Sequence, residues 1–271
     1  LLIAADHLIF YRPQNIRGSL YNVNPRWYLA LGLYILGRLL LVSGVELGKD
    51  EAVYWYWGQH LDASYALLPF SVLKLAHALW PHQEWFLRLP SILLGALSVA
   101  LLYRLCRSHG LSERPALWAT AAFALSHWTW HTSSFLHPDG FLVPCWLLAL
   151  CAAQQANGSI EARPYALMGL AGGGAVLCKY SGIFLIGGLC LWILLSHPHR
   201  DRWRLLATFL LPALVIALPL IYAQLSSGFY LPQTLSTLSR IEGLTDPFSR
   251  LFFFLVNPLL FVSPISLYLL Y

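Results

Sequence analysis

The sequence predicts an all-α protein, a polytopic bundle of about eight transmembrane helices. Of its 271 residues, 58% are hydrophobic and only 11% are charged. Soluble domains carry about 25% charged residues, so this chain has too few charges to cover a globular surface. The same composition excludes intrinsic disorder, which requires low hydrophobicity and high charge. A membrane-embedded helical bundle is the class that remains.

Apolar runs of about 17 to 25 residues are long enough to cross a bilayer as helices. Runs that approach or exceed this length lie near residues 26–46, 86–106, 115–133, 140–156, 164–178, 182–196, 204–224 and 250–271. We expect the whole chain, 1–271, to form one transmembrane domain in which 1–25 precede the first span. The longer connections, 47–85 and 225–249, are then loops at one face of the membrane.

The loop 47–85 contains a moderately apolar stretch over residues 63–80. Pro69 and Lys74 interrupt it, which disfavours a membrane span. The pattern instead predicts a helix that lies at the membrane interface.

The distribution of basic residues predicts the orientation of the bundle. Ten arginines fall on the side of the N-terminus and of the short connections, whereas six lysines and arginines fall on the side of the two long loops. An excess of basic residues marks the cytoplasmic face, so residues 1–25 are predicted to be cytoplasmic and the long loops external. The basic residues form no continuous patch, which gives no support to a nucleic-acid partner.

Three short segments bring ionisable residues to the predicted external ends of spans. Asp50 and Glu51 follow the first span and open an aromatic segment that includes Tyr54 and Trp57. A carboxylate at this position could accept a proton from an incoming hydroxyl, and the aromatic rings could stack on a sugar or an isoprenoid. Helix capping by Asp50, with Glu51 in the first turn, is an equally good interpretation.

The second segment is His137-Pro138-Asp139-Gly140, at the start of the fourth predicted span. The Pro-Asp-Gly turn would aim the carboxylate of Asp139 inward, although helix capping again explains an aspartate there.

The third segment, Cys178-Lys179-Tyr180, lies between two apolar spans. A lysine at this depth is a candidate phosphate ligand, and snorkelling at a helix end is its structural alternative. Arg240, in the second long loop, is either a phosphate ligand or an ordinary solvated residue.

The sequence gives little indication of a metal or another cofactor. His127 and His131 have a spacing that could hold zinc on a helix, and His137 follows. No glutamate stands between the first two as metalloproteases require, so a divalent metal is not indicated. We expect no cofactor to be required.

An Asp-Glu-x-x-Tyr segment after the first span, a Pro-Asp turn and a Cys-Lys-Tyr segment occur here in that order. Together with Arg88-Leu89-Pro90-Ser91, and with Pro258 and Pro264 in the last span, this pattern resembles the bacterial GT-C glycosyltransferases. These are relatives of the protein O-mannosyltransferases and of the transferase that adds aminoarabinose to lipid A. The resemblance runs from about Arg26 to the end of the chain and implies a GT-C fold.

The resemblance also implies an activity and roles for individual residues. It implies an inverting transfer of a sugar from a polyprenyl phosphate to a lipid, glycan or protein acceptor, on the periplasmic face of a bacterial inner membrane. Asp50, Glu51 and Asp139 match acidic positions taken as catalytic. Lys179 and Arg240 match positions that contact the donor phosphate. The family relationship leads us to expect substrate or lipid contacts from Tyr54, Trp57, His137 and Tyr180.

Two features depart from the family pattern. Family members usually carry a polar pair before a proline in the first long loop, where this chain has Leu67-Leu68-Pro69. The chain also ends at Tyr271 inside an apolar run, as a fragment or a reduced form would. A transporter of lipid-linked sugars and a non-catalytic remnant therefore stay open as alternatives to the enzyme.

Overall fold

The computed structural model describes residues 25–60, 66–80 and 83–226. In these ranges the chain forms ten helices and no strand, which confirms the predicted all-α class. The helices are α1 (Pro25–Val42), α2 (Lys49–His60), α3 (Leu67–Leu79), α4 (Glu84–Ser108), α5 (Glu113–Leu125), α6 (His127–Ser134), α7 (Pro138–Ala156), α8 (Ala162–Cys178), α9 (Gly182–Ser196) and α10 (His199–Ser226). The predicted eighth span, the loop 227–249 and residues 1–24 lie outside the described ranges.

Several helices have the length and composition of membrane spans. Within the described ranges, α4 and α10 are each long and apolar enough to cross a membrane. Helices α6 and α7 reach that length only together, as a pair bent by 112°. Shorter apolar helices occupy Leu29–Val42 within α1, all of α3 and all of α9. The total of about eight spans stays a prediction.

The predicted third span, 115–133, is not one continuous helix. It divides into α5 and α6 at Ser126, whose backbone is extended (φ −62°, ψ 145°) and whose hydroxyl caps α6 by accepting from the Thr129 N–H. A serine in an apolar run is a weak signal for a break, which is why the sequence pattern did not show it. The break leaves backbone carbonyls without helical partners in the middle of the bundle.

Arg38, the one charged side chain of the described part of α1 after its first turn, supplies donors to carbonyls in the last turns of α5 and α6. Its Nη1 donates to the Trp130 carbonyl (2.9 Å) and to the Ser134 hydroxyl (2.6 Å), and its Nη2 donates to the Ala124 carbonyl (3.0 Å). The guanidinium also lies 3.9 Å from the centre of the Trp130 ring. The negative ends of two helix dipoles therefore offset a buried positive charge, and Arg38 stabilises the broken span.

The largest core forms where α8 packs against α7, α9 and α10. Buried side chains of α8 and α10, among them Met168 and Phe209, lie at its centre. Gly169 brings the two helices together, since a β-carbon at this position would overlap the Phe209 carbonyl oxygen. Close backbone contact through small residues is the usual way in which membrane helices associate.

This contact predicts that Gly169→Ala will destabilise the bundle by about 1 to 3 kcal/mol, because α8 and α10 must move apart. Gly187→Ala in α9 is the matched control, since nothing lies within 4 Å of its added methyl group. Alanine favours a helix over glycine, so the control should be neutral or slightly stabilising. Thermal unfolding of both variants in detergent measures the difference, and equal midpoints would contradict the packing role of Gly169.

Candidate functional site

The predicted site residues that the structure describes gather at one end of the bundle, which we call the α2–α3 end. It consists of helices α2 and α3, the start of α4, the connection from α6 to α7, and the connection from α8 to α9. It is the side that the arginine distribution predicts to be external. The geometry of this end is built on two ion pairs.

The first ion pair joins Arg88 at the start of α4 to Glu51 in α2. Arg88 is fully buried, and its Nε and Nη2 donate to the two carboxylate oxygens of Glu51 at 2.9 and 2.7 Å. Its remaining N–H groups donate to the carbonyls of Val42, Val45 and Glu46. A guanidinium has five N–H donors, so Arg88 is satisfied completely. It thereby fixes the end of α1 and the following turn against α2.

Glu51 is equally well satisfied. Its carboxylate also accepts from the backbone N–H of Leu136 (2.9 Å) and of Gly48 (3.0 Å). Burial alone would raise the pKa of Glu51, but the hydrogen bonds from Arg88 and from the two backbone groups outweigh it and hold the pKa below its ordinary value. The sequence suggested a catalytic role for Glu51. In the structure its oxygens are occupied and it is 5% exposed, and the catalytic role stays a prediction.

Asp50, the neighbour of Glu51, is in the opposite situation. Its side chain is exposed, and it makes no hydrogen bond or ion pair with any residue in the ranges that the structure describes. Its charge nevertheless acts on the site. The pKa of Tyr54 is raised by burial and then by the charges of Asp50 and Asp139. Asp50 is thus a carboxylate with free oxygens, held at the site by its ion-paired neighbour.

The second ion pair joins Asp139 in α7 to Lys179, which follows α8. Lys179 Nζ lies 2.8 Å from Asp139 Oδ1, and the side chains are 33% and 7% exposed, respectively. The sequence offered helix capping as the structural explanation for Asp139. The cap of α7 is instead His137, whose Nδ1 accepts from the Asp139 N–H at 3.2 Å. Asp139 is left free to orient Lys179.

His137 lies among aromatic rings. The centres of the Tyr54, Trp128 and His131 rings are 5.9, 6.1 and 5.7 Å from the centre of its imidazole. Burial lowers the pKa of His137, and the charge of Lys179 lowers it further, whereas the carboxylates of Asp139 and Asp50 act in the opposite direction. His137 therefore lies against the second ion pair, with a pKa below its ordinary value.

The other predicted contact residues differ in position. Trp57 packs 5.9 Å from the Phe70 ring, in the apolar cluster between α2 and α3. Tyr180 accepts a hydrogen bond of 2.6 Å from Gln224 of α10. Arg240 lies outside the described residues.

Sequence reasoning gave no role to Arg88, although it quoted the segment that contains it. The sequence carried a signal, because Arg88 stands just after the loop 47–85 and Asp50 and Glu51 stand at the start of the same loop. What was missing was the fold that pairs residues 37 positions apart.

Comparison with known proteins identifies the family of this chain. Residues 64–226 match the profile of the dolichyl-phosphate-mannose-protein mannosyltransferase family. The chain belongs to this family. The match confirms the resemblance that the sequence motifs suggested, and with the apolar helices it makes the chain an integral membrane protein.

Two further proteins are similar to this member of the mannosyltransferase family. The lipid A galacturonosyltransferase RgtD of Rhizobium johnstonii is 26% identical over 207 residues, which are 73% of this chain and 43% of that protein. The structure of the S. cerevisiae protein O-mannosyltransferase Pmt1–Pmt2 complex bound to the sugar donor has a TM-score of 0.61, with 19% identity. It covers 80% of this chain and 36% of that chain. The chain thus spans less than half the length of either relative, and the second match confirms the GT-C fold.

Proposed function

We propose that the chain is the catalytic membrane region of a glycosyltransferase that moves a sugar from a polyprenyl phosphate to an acceptor hydroxyl. The observation that carries this proposal is that an exposed carboxylate, Asp50, and the lysine that Asp139 holds, Lys179, lie at the same α2–α3 end, close enough for both charges to act on His137. A base and a cation are the two groups that such a transfer requires. The family membership and the lipid-modifying relative support the same reaction class.

In the proposed reaction, the acceptor oxygen attacks the anomeric carbon of the sugar, and Asp50 takes the proton of the hydroxyl. The bond between that carbon and the phosphate oxygen breaks, and the polyprenyl phosphate leaves as an anion. Lys179 stabilises the negative charge that develops on the phosphate, so the leaving group needs no proton. Attack opposite the leaving group inverts the anomeric centre. One carboxylate base is therefore sufficient, and the scheme calls for no cofactor.

The remaining residues have supporting roles in this proposal. Arg88 and Glu51 fix the start of α2, so that Asp50 is presented at a constant position. Asp139 holds Lys179 in the site. Tyr54 and Trp57 stand on the same helix as Asp50 and offer apolar rings to a sugar or an isoprenoid. Arg240 keeps its sequence-based assignment as a second phosphate ligand.

We place the reaction on the periplasmic face of a bacterial inner membrane. The support is the excess of arginine in the short connections at the other end of the bundle. The Asp50 carboxylate is exposed and so accessible to the hydroxyl of an acceptor. The proposal therefore covers lipid, glycan and protein acceptors.

The direct test is transfer from a radiolabelled polyprenyl-phosphate sugar by the full chain in proteoliposomes, with extracted bacterial lipids and peptides offered as acceptors. The proposal expects labelled product and free polyprenyl phosphate in equal amounts. Movement of the intact donor across the vesicle without product would indicate a transporter instead. No donor binding at all would indicate a non-catalytic remnant.

Lys179→Met should lower the transfer rate by about 100-fold, because it removes one preorganised charge that faces the leaving group. Asp139→Asn should have a smaller effect, since the lysine remains, and the double variant should be no slower than Lys179→Met alone. The rates of the three variants, measured at saturating acceptor, form a double-mutant cycle.

Arg204→Met is the matched control for the loss of a cation. Arg204 pairs with Asp201 at 3.7 Å at the start of α10, and it is 58% exposed. The control should transfer at the wild-type rate. If Lys179→Met and the control behave alike, Lys179 has no special role in the reaction.

A further inference from the structure

Two cysteines from neighbouring helices lie in contact close to the second ion pair. Cys145 belongs to α7, less than two turns after Asp139, and Cys178 is the last residue of α8, next to Lys179 in the chain. Their thiols hydrogen-bond to each other across the interface of the two helices. All five cysteines of the chain are free thiols in the structure. The pair is therefore reduced here, with its two sulfurs already side by side.

The contact depends on a close approach of α7 to α8. The Cys145 sulfur lies 3.3 Å from the position that a β-carbon at Gly174 would take, so it packs where α8 has no side chain. Gly174 and Cys178 are one helical turn apart and share a face of α8. A side chain at position 174 would compete with the Cys145 sulfur for this space, which makes Gly174 part of the thiol site.

The two sulfurs differ in their accessibility. The Cys178 side chain is completely buried, whereas Cys145 is partly exposed. A small oxidant therefore reaches Cys145 first, and Cys178 is the neighbouring thiol that can react with the oxidised form. One accessible cysteine beside one resolving cysteine is the arrangement that a reversible disulfide requires.

We propose that Cys145 and Cys178 are a redox-sensitive site, which hydrogen peroxide converts to a disulfide. Peroxide transfers one oxygen to the Cys145 thiol, which becomes a sulfenic acid, and the rest of the peroxide leaves as water. The Cys178 sulfur then attacks the Cys145 sulfur, the S–S bond forms, and the sulfenic oxygen leaves as a second water with the Cys178 proton. The two sulfurs lose two electrons, which the peroxide accepts, and a dithiol reductant reverses the change.

Formation of this bond should disturb the ion pair beside it. A disulfide holds its sulfurs only about 2.05 Å apart, closer than any non-bonded contact, so Cys178 is drawn toward α7. Cys178 is joined directly to Lys179, whose Nζ lies 2.8 Å from Asp139 Oδ1. The backbone that carries Lys179 is then displaced. The resulting effect on sugar transfer rests on the proposed function, in which Lys179 faces the leaving group.

Alkylation with N-ethylmaleimide counts the free thiols of the full chain after denaturation. Wild-type protein treated with peroxide in detergent should take up three labels, two fewer than the five of the reduced protein, and dithiothreitol should restore all five. Peptide mapping should find Cys145 joined to Cys178. Cys145→Ser cannot form the disulfide, so it should take up four labels both before and after peroxide.

Cys190→Ser is the matched control, because it removes another partly exposed cysteine that packs against the same core. It should take up four labels when reduced and two after peroxide, since its Cys145–Cys178 pair is intact. Five labels on the peroxide-treated wild type, or a disulfide between other cysteines, would overturn the inference. These wild-type results decide the matter should either variant fail to fold.

The transfer rate tests the effect on the ion pair. Peroxide should slow transfer by the wild type by about 10- to 100-fold, the cost of a misplaced catalytic group, and dithiothreitol should restore the rate. Cys145→Ser should transfer at one rate under both conditions. An oxidised wild type that transfers as fast as the reduced protein would refute the link to Lys179. If neither form transfers sugar, the proposed function fails, whereas the disulfide stands on the label counts.

Discussion

Replacing Asp50 with asparagine should reduce sugar transfer by about 100- to 10,000-fold, the range that loss of a general base produces. Asparagine has nearly the same size and shape, but its amide cannot accept the proton of the acceptor hydroxyl. The folded structure should not change, because the Asp50 side chain is exposed and unpaired within the described ranges. Initial rates in proteoliposomes measure the loss, and donor binding by the variant should equal that of the wild type.

The control for Asp50→Asn is Glu46→Gln, which neutralises another exposed carboxylate in the turn just before α2. Its side chain is expected to have no part in the chemistry, so the variant should retain the wild-type rate. Undiminished transfer by Asp50→Asn would remove Asp50 from the mechanism. A loss of equal size in both variants would point to the total charge of the loop, and not to one base.

Much of the arrangement at the α2–α3 end follows from physical regularities that a sequence displays. Ionisable side chains are costly in a bilayer, so they lie at the ends of apolar runs. Successive spans cross the membrane in opposite directions, so every second connection between spans lies on the same side. These two facts were enough to predict that Asp50, Asp139 and Lys179 share one end of the bundle.

The pairing of these side chains could not be predicted in the same way. Asp50 and Glu51 are adjacent and chemically alike, yet one is exposed and the other is sealed against Arg88. Which of two neighbours turns inward depends on the angle at which α2 packs, and no local pattern encodes that angle. The broken span has a similar cause, because Arg38 in α1 satisfies carbonyls that belong to a distant segment.

Because Glu51 is buried against Arg88, breaking this ion pair should cause a large loss of stability. Arg88→Met should lower the free energy of unfolding by about 3 to 5 kcal/mol, since it leaves the carboxylate of Glu51 buried without its cation. The backbone carbonyls that Arg88 satisfies would lose their donors as well. Thermal unfolding in detergent, followed by tryptophan fluorescence, measures this loss. Arg104→Met, which replaces an exposed arginine of α4, is the control and should cost little.

The double variant Arg88→Met/Glu51→Gln tests whether the loss comes from an unpaired charge. Glutamine removes the charge that the first substitution strands, so the double variant should be more stable than Arg88→Met alone. If the two substitutions are additive instead, the ion pair is not the source of the loss. Transfer should fall in Arg88→Met even below its unfolding temperature, because the start of α2 is no longer fixed and Asp50 moves with it.

Acid should also break this ion pair in the wild type, because it protonates the carboxylate of Glu51. The pKa of Glu51 in the folded protein lies below its ordinary value of 4.5, so its ion pair contributes fully above that pH. The contribution is lost as the pH falls through the lowered pKa. Arg88→Met has no such ion pair to lose, and its unfolding temperature should depend less on pH below 4.5 than that of the wild type. Parallel curves for the two proteins would show that other carboxylates set the acid stability of the bundle.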